Sequence, residues 1–176
     1  MSEHRFEAAS AVVIFCCGPH CPQEAIAGEL ERNGVAVVTV PESGDAFRLD
    51  AEQAAQRILE IHAALSPGMP VGYAGASVAG AGALIAAALR PDSVAAVVSI
   101  NGRTDLATDH LRGVRAPALL VVNDLPVLRM NREAVAVLRA ERRLEIVRGE
   151  DSDAVDHIVR KSARWLVDRL AGVPAA

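Results

Sequence analysis

Apolar residues in this chain fall into short continuous runs, separated by longer stretches where they recur every three or four positions. The runs occupy residues 11–16 (AVVIFC), 35–40 (VAVVTV), 71–76, 94–100 (VAAVVSI), 118–122 (ALLVV) and 144–147. Runs of this length, without polar alternation, are expected of strands covered on both faces. Between them, residues 23–33 carry Ile26 and Leu30 four apart, with Gly34 just past the end as a natural cap. Residues 51–65 carry Ala54, Ile58, Ile61 and Leu65 on one face, and Asp50 is placed to cap that helix. Residues 105–111 are read as one or two helical turns, and residues 127–140 and 154–170 as helices. On the last of these Val155, Ile158, Val159, Ala163, Leu166 and Leu170 form one stripe, while His157 falls opposite with Arg160, Lys161 and Arg164. Strands alternating with helices predict an α/β domain with a parallel sheet.

The pattern contains no repeat, low-complexity segment or linker. Residues 1–10 read as a polar lead-in and residues 11–172 as a single domain. The length of 176 residues is enough for one substantial core. The formal net charge of −4 offers neither a basic footprint for nucleic acid nor a polybasic membrane patch. Residues 71–89 carry no charge, but their glycines and Ser77 fit a buried strand plus helix better than a membrane span. The opening Met-Ser-Glu-His-Arg has no apolar signal segment, and the three clustered cysteines make no secreted disulfide framework. A cytoplasmic protein is expected.

The stretch at residues 71–85 holds the densest chemistry. An apolar run opened by Pro70 meets Gly75-Ala-Ser77-Val-Ala79-Gly80, after which small apolar residues continue to Leu89 and Arg90-Pro91 ends the helix. This is close to Gly-x-Ser-x-Gly, the nucleophile elbow, in which a serine sits on a strained strand-to-helix turn and needs small neighbours. Ala79 stands at the usual place of the second glycine. The chain resembles the α/β-hydrolase family, in particular its small dienelactone-hydrolase-like members, over most of its length. The resemblance implies a three-layer, six-stranded parallel sheet in the order 2-1-3-4-5-6, with helices on both faces and no cap. A flavodoxin-like order is nearly the same by pattern. Either places the ligand site at the carboxyl ends of the strands.

The same resemblance assigns roles. Ser77 is the nucleophile, and Asp124, directly after the fifth strand, is the acid that orients the base. The alternative for Asp124 is a turn or helix-cap aspartate. The Val78 N–H holds the oxyanion. The family's histidine follows the last strand, where this chain has Arg148-Gly-Glu-Asp-Ser-Asp153. The base is therefore sought first at His20, in the loop after the first strand, and second at His157. In that first loop Pro19 stands where an oxyanion N–H is usual, and proline has none.

Cys16, Cys17, His20 and Cys21 raise a metal reading, but no second ligand pair stands at finger-like spacing, so no metal or other cofactor is expected. Gly75 and Gly80 have P-loop spacing, yet Ala81-Gly82 replaces the Lys-Ser/Thr pair that holds phosphate and magnesium. Two functions remain. One is a serine hydrolase of a small ester or thioester. The other is a degenerate member that binds a small ligand or partner protein without turnover, suggested by the missing histidine, Pro19 and the short turn at Asp124. An apolar helix face or edge strand leaves room for a homodimer.

Overall fold

The computed structural model describes residues 9–17, 21–40 and 49–171. Six parallel strands carry the architecture: β1 Ala11–Cys16, β2 Val35–Thr39, β3 Val71–Ala76, β4 Ala96–Ile100, β5 Ala118–Val122 and β6 Arg142–Ile146. They lie in the order β2-β1-β3-β4-β5-β6, as expected from the sequence. Among the described residues five helices accompany them, four between strands and the last after β6: α1 Gln23–Arg32, α2 Ala51–Ala63, α3 Val78–Leu89, α4 Leu125–Val137 and α5 Ser152–Leu170. Most of the expected polar lead-in lies outside the described residues.

Side chains alternate across the sheet, and each face has its own apolar layer. Val12, Ile14, Val71, Tyr73, Val97 and Leu120 pack with α2, α3 and part of α4. Val13, Phe15, Ala74, Val98, Leu119 and Val121 pack with α1 and α5. This two-sided cover explains why the central strands read as continuous apolar runs. Completely burying a side chain such as Ile14 or Phe15 contributes about 1.5–3 kcal/mol. Asp50 caps α2 as expected: its side chain accepts from Gln53 N at 2.8 Å while Gln53 Oε1 accepts from Asp50 N at 3.1 Å.

The differences from the sequence pattern fall at polar boundaries. β6 begins at Arg142, two residues before its apolar run, because an edge strand exposes Arg142 and Arg143. β4 begins at Ala96 rather than at residue 94. The segment read as residues 105–111 forms two separate 3-10 turns, Thr104–Ala107 and Leu111–Gly113. α4 starts at Leu125 with Pro126 in its first turn, where a missing N–H costs no helical bond. α5 starts at Ser152, capped by the Asp151 side chain accepting from Ala154 N at 2.9 Å.

Candidate active site

The carboxyl edge of the sheet is organised by an abrupt turn at Ser77. β3 ends at Ala76 and α3 begins at Val78, so one residue reverses the chain. Ser77 takes φ 54° and ψ −123°, a region that side-chain-bearing residues rarely occupy and that costs of order 1–3 kcal/mol. Three backbone bonds hold it there. Ser77 N donates to Ile100 O at 3.0 Å, and Ser77 O accepts from Gly80 N at 3.1 Å and Arg103 N at 3.0 Å.

The small neighbours of Ser77 have distinct reasons. A Cβ on Gly75 would lie 2.3 Å from Ala79 O, and one on Gly80 would lie 2.6 Å from Ser99 Oγ. The tight approach at residue 79 is therefore made by its backbone, and its methyl group is accommodated. The Ser77 side chain is exposed and makes no capping bond. The Val78 N–H belongs to the first turn of α3, at the positive end of the helix dipole.

Asn101, one strand over and directly after β4, also has a positive φ, 46°. Its Oδ1 accepts from Asn123 N at 2.9 Å and from Asp124 N at 3.1 Å, and its Nδ2 donates to Asn123 Oδ1 at 2.6 Å. Asn123 Nδ2 in turn donates to Gly149 O at 3.2 Å. Three strand ends are thus tied by two asparagines. Asp124 is the N-cap residue of α4, but its side chain makes no capping bond. Among the described residues nothing donates to its exposed carboxylate. Two strand spacings of about 4.8 Å separate β3 from β5.

Behind this edge lies Asn131, fully buried on α4. Its Nδ2 donates to Gly102 O and to Val127 O, each at 2.8 Å. The peptide group whose carbonyl accepts from Asn131 is the one whose N–H, on Arg103, donates to Ser77 O. Beyond it the Arg103 guanidinium grips Asp105 through two bonds, at 2.9 and 2.8 Å. That hydrogen bonding holds the Asp105 carboxyl below its ordinary value.

The described histidines are scattered. His20, the first choice as base, lies outside the described residues, as do Pro19 and His4. His157 is half-buried against β6, and its Nε2 lies 2.8 Å from Glu145 Oε1. It faces a carboxylate on the edge strand as well as solvent, which the helical pattern alone did not indicate. Burial opposes the charge of Glu145, but His157, Lys161 and Arg143 together hold its carboxyl below the ordinary value. His62 sits at the opposite end of the sheet beside the Tyr73 hydroxyl, where burial and the nearby Arg90 push the imidazole down. Among the described residues no group of three or more His, Cys, Asp or Glu is placed to hold a metal ion.

A crystal structure of dienelactone hydrolase from Anabaena variabilis superposes with a TM-score of 0.81 and 32% identity, over 93% of this chain and 88% of that one. The chain belongs to the dienelactone-hydrolase-like α/β-hydrolases. Two more distant structures share the fold. Est1E from Butyrivibrio proteoclasticus has a TM-score of 0.76 at 14% identity, covering 96% of this chain and 91% of that one. A monoacylglycerol lipase from Paleococcus ferrophilus has a TM-score of 0.75 at 15% identity, covering 92% and 96%. No protein-family model matches the chain.

A Mycobacterium tuberculosis protein that carries a provisional phosphoribosyl transferase name is 37% identical over 135 residues, which is 70% of this chain. The chain spans 30% of that relative's length. Within this α/β-hydrolase the sequence motif located the elbow, because its glycines obey a steric rule. Strand order alone puts Asn101 and Asn123 on this edge, but the motif gave them no role and did not locate Asn131. The available signal was an asparagine directly after each of two strands, since asparagine tolerates positive φ better than most residues.

Proposed function

We propose that the chain is a serine hydrolase acting on a small ester, lactone or thioester. The observation that carries this reading is Ser77, exposed on a strained turn at the head of α3. Strain of this kind persists where the surroundings over-determine it, and it places a hydroxyl at the positive N-terminal end of α3. Ser77 Oγ attacks the carbonyl carbon and its proton passes to a base. The Val78 N–H stabilises the oxygen as charge develops on it. His20 is the proposed base and Asp124 the residue that orients it, with its backbone already fixed by Asn101. The name of the Anabaena relative supports a lactone, an internal ester, as substrate. Leu106 and Leu125, 43% and 76% exposed after β4 and β5, offer apolar surface for the carbon skeleton.

A second reading, a family member that binds a ligand or partner without turnover, is favoured by one observation. None of the described histidines, His62, His110 and His157, hydrogen bonds to Ser77 or Asp124. A third, transfer of a phosphoribosyl group, finds little support, because the chain spans only 30% of the relative bearing that name. The loop at Ser77 also lacks the Lys-Ser/Thr pair of a phosphate cradle.

Labelling with a fluorophosphonate tests the proposal. Wild-type protein is expected to be labelled and Ser77→Ala not. Folded wild-type protein that resists the reagent overturns the hydrolase reading in favour of ligand binding.

A further inference from the structure

A cleft of about 570 Å³ opens at the amino-terminal edge of the sheet, at the far end of the strand and helix that carry Ser77. Its walls include Val71, the first residue of β3, and Arg90, the residue after α3. At the helical rise, the twelve residues of α3 put it roughly 18 Å from the elbow. Leu65, Met69, Val71 and Val94 give it apolar walls, and His62 and Arg90 stand among them. Nothing in the proposed hydrolysis uses this cleft.

His62 is held in one orientation. Its Nδ1 bonds to the Tyr73 hydroxyl, and the two rings meet nearly perpendicular, at 77°, with centroids 5.6 Å apart. Tyr73 is fully buried, and burial pushes its hydroxyl up, so the phenol keeps its proton and donates it. Nδ1 therefore accepts, and the proton of the neutral imidazole lies on Nε2. Burial and the nearby Arg90 keep the ring neutral at pH 7 by pushing it down. Among the described residues neither Nε2 nor the Arg90 guanidinium has a hydrogen-bond or ion-pair partner. Asp92, on the rim, is taken by Arg115 at 3.0 Å.

We propose that this cleft is a binding site for a small organic monocarboxylate. The Arg90 fork takes the two carboxylate oxygens, the His62 Nε2–H donates a further bond to one of them, and the apolar walls receive the carbon skeleton. The helix ends limit the charge of the ligand. α2 ends at Ala63 and α3 at Leu89, both beside the cleft, so the negative ends of two helix dipoles meet one arginine. That balance suits a single negative charge and disfavours a phosphate dianion. Arg90 is exposed, so the charged contact weakens as salt is added, and the apolar walls supply the remainder.

The test is titration of the full chain with sodium benzoate, read at the His62 ring nitrogens by NMR of nitrogen-15-labelled protein, with sodium chloride of equal ionic strength as the blank. Wild-type and Ser77→Ala proteins are expected to give the same saturable shift at Nε2, with a Kd of about 1 mM. Inorganic phosphate is expected to bind about tenfold more weakly than benzoate. Arg90→Gln removes no hydrogen bond or ion pair between described residues and is expected to weaken benzoate binding about tenfold. Three results overturn the proposal: an Nε2 signal that moves no further than in sodium chloride, full benzoate affinity in Arg90→Gln, or phosphate binding as tightly as benzoate. Each reading is local to His62, so none depends on whether Ser77 attacks anything.

Discussion

Asn101 and Asn123 are joined by two hydrogen bonds running in opposite directions: Asn101 Nδ2 donates to Asn123 Oδ1 at 2.6 Å, and Asn123 N donates to Asn101 Oδ1 at 2.9 Å. The same Oδ1 also holds Asp124 N. One side chain therefore does what a further residue of β4 would do if the strand continued. It frees the chain after β4 to turn back toward Ser77, whose N–H bonds to Ile100 O.

Replacing Asn101 by alanine should accordingly loosen Asp124 and strain the turn, because alanine tolerates φ 46° less well than asparagine. Three bonds are lost, and each backbone N–H left without a partner costs about 1–3 kcal/mol where water cannot reach it. The expected loss is about 2 kcal/mol in urea unfolding, given partial exposure. Asn101→Gly should recover the part due to backbone strain. Equal stability of the alanine and glycine variants would show that φ is not the constraint.

Ser77 should be better for function than for stability. Glycine adopts φ 54° without the side-chain penalty, although it gains freedom in the unfolded chain. The net expectation for Ser77→Gly is about 1 kcal/mol of added stability, or about 2–4 °C in Tm for a domain of this size. Fluorophosphonate labelling should vanish in the same variant. A lower Tm would mean that the hydroxyl itself stabilises the turn.

Asn131 acts at one remove. Its Nδ2 holds the carbonyl of the peptide group whose N–H holds Ser77 O. Asn131→Ala should leave Gly102 O unsupported, lower stability by about 1–3 kcal/mol, and slow Ser77 labelling about tenfold. Asn131→Asp keeps the shape but a carboxylate cannot donate, so it should be no better than alanine. A variant with reduced stability and unchanged labelling rate would show that Asn131 supports only the core.

Much of the fold was legible because the two-sided sheet imposes a simple rule on β1, β3, β4 and β5, whose residues are apolar almost throughout. β6 was read late because its outward edge tolerates Arg142 and Arg143. The elbow was legible for a steric reason: Gly75 has no space for a methyl group beside Ala79 O. The ties around it were not, since a hydrogen bond from Asp124 N to Asn101 Oδ1 links residues that follow separate strands and leaves no spacing pattern.

Glu145 gives the last expectation, and its sign follows from its neighbours. Burial alone would raise its carboxyl, but His157, Lys161 and Arg143 outweigh it and hold the value below the ordinary 4.5. A carboxyl lowered in the folded state contributes stability that is fully present above its unfolded value and is lost as pH falls through the folded one. Glu145→Gln should therefore be less stable than wild type at pH 7, and the gap should narrow below about pH 4.5 as wild-type Glu145 takes up its proton. Part of the contribution should also fade in high salt, because the Arg143 partner is exposed and the Lys161 partner is partly so. Chemical unfolding of both proteins from pH 7 to pH 3 checks this. A gap that stays constant over that range would mean that glutamine loses packing rather than charge.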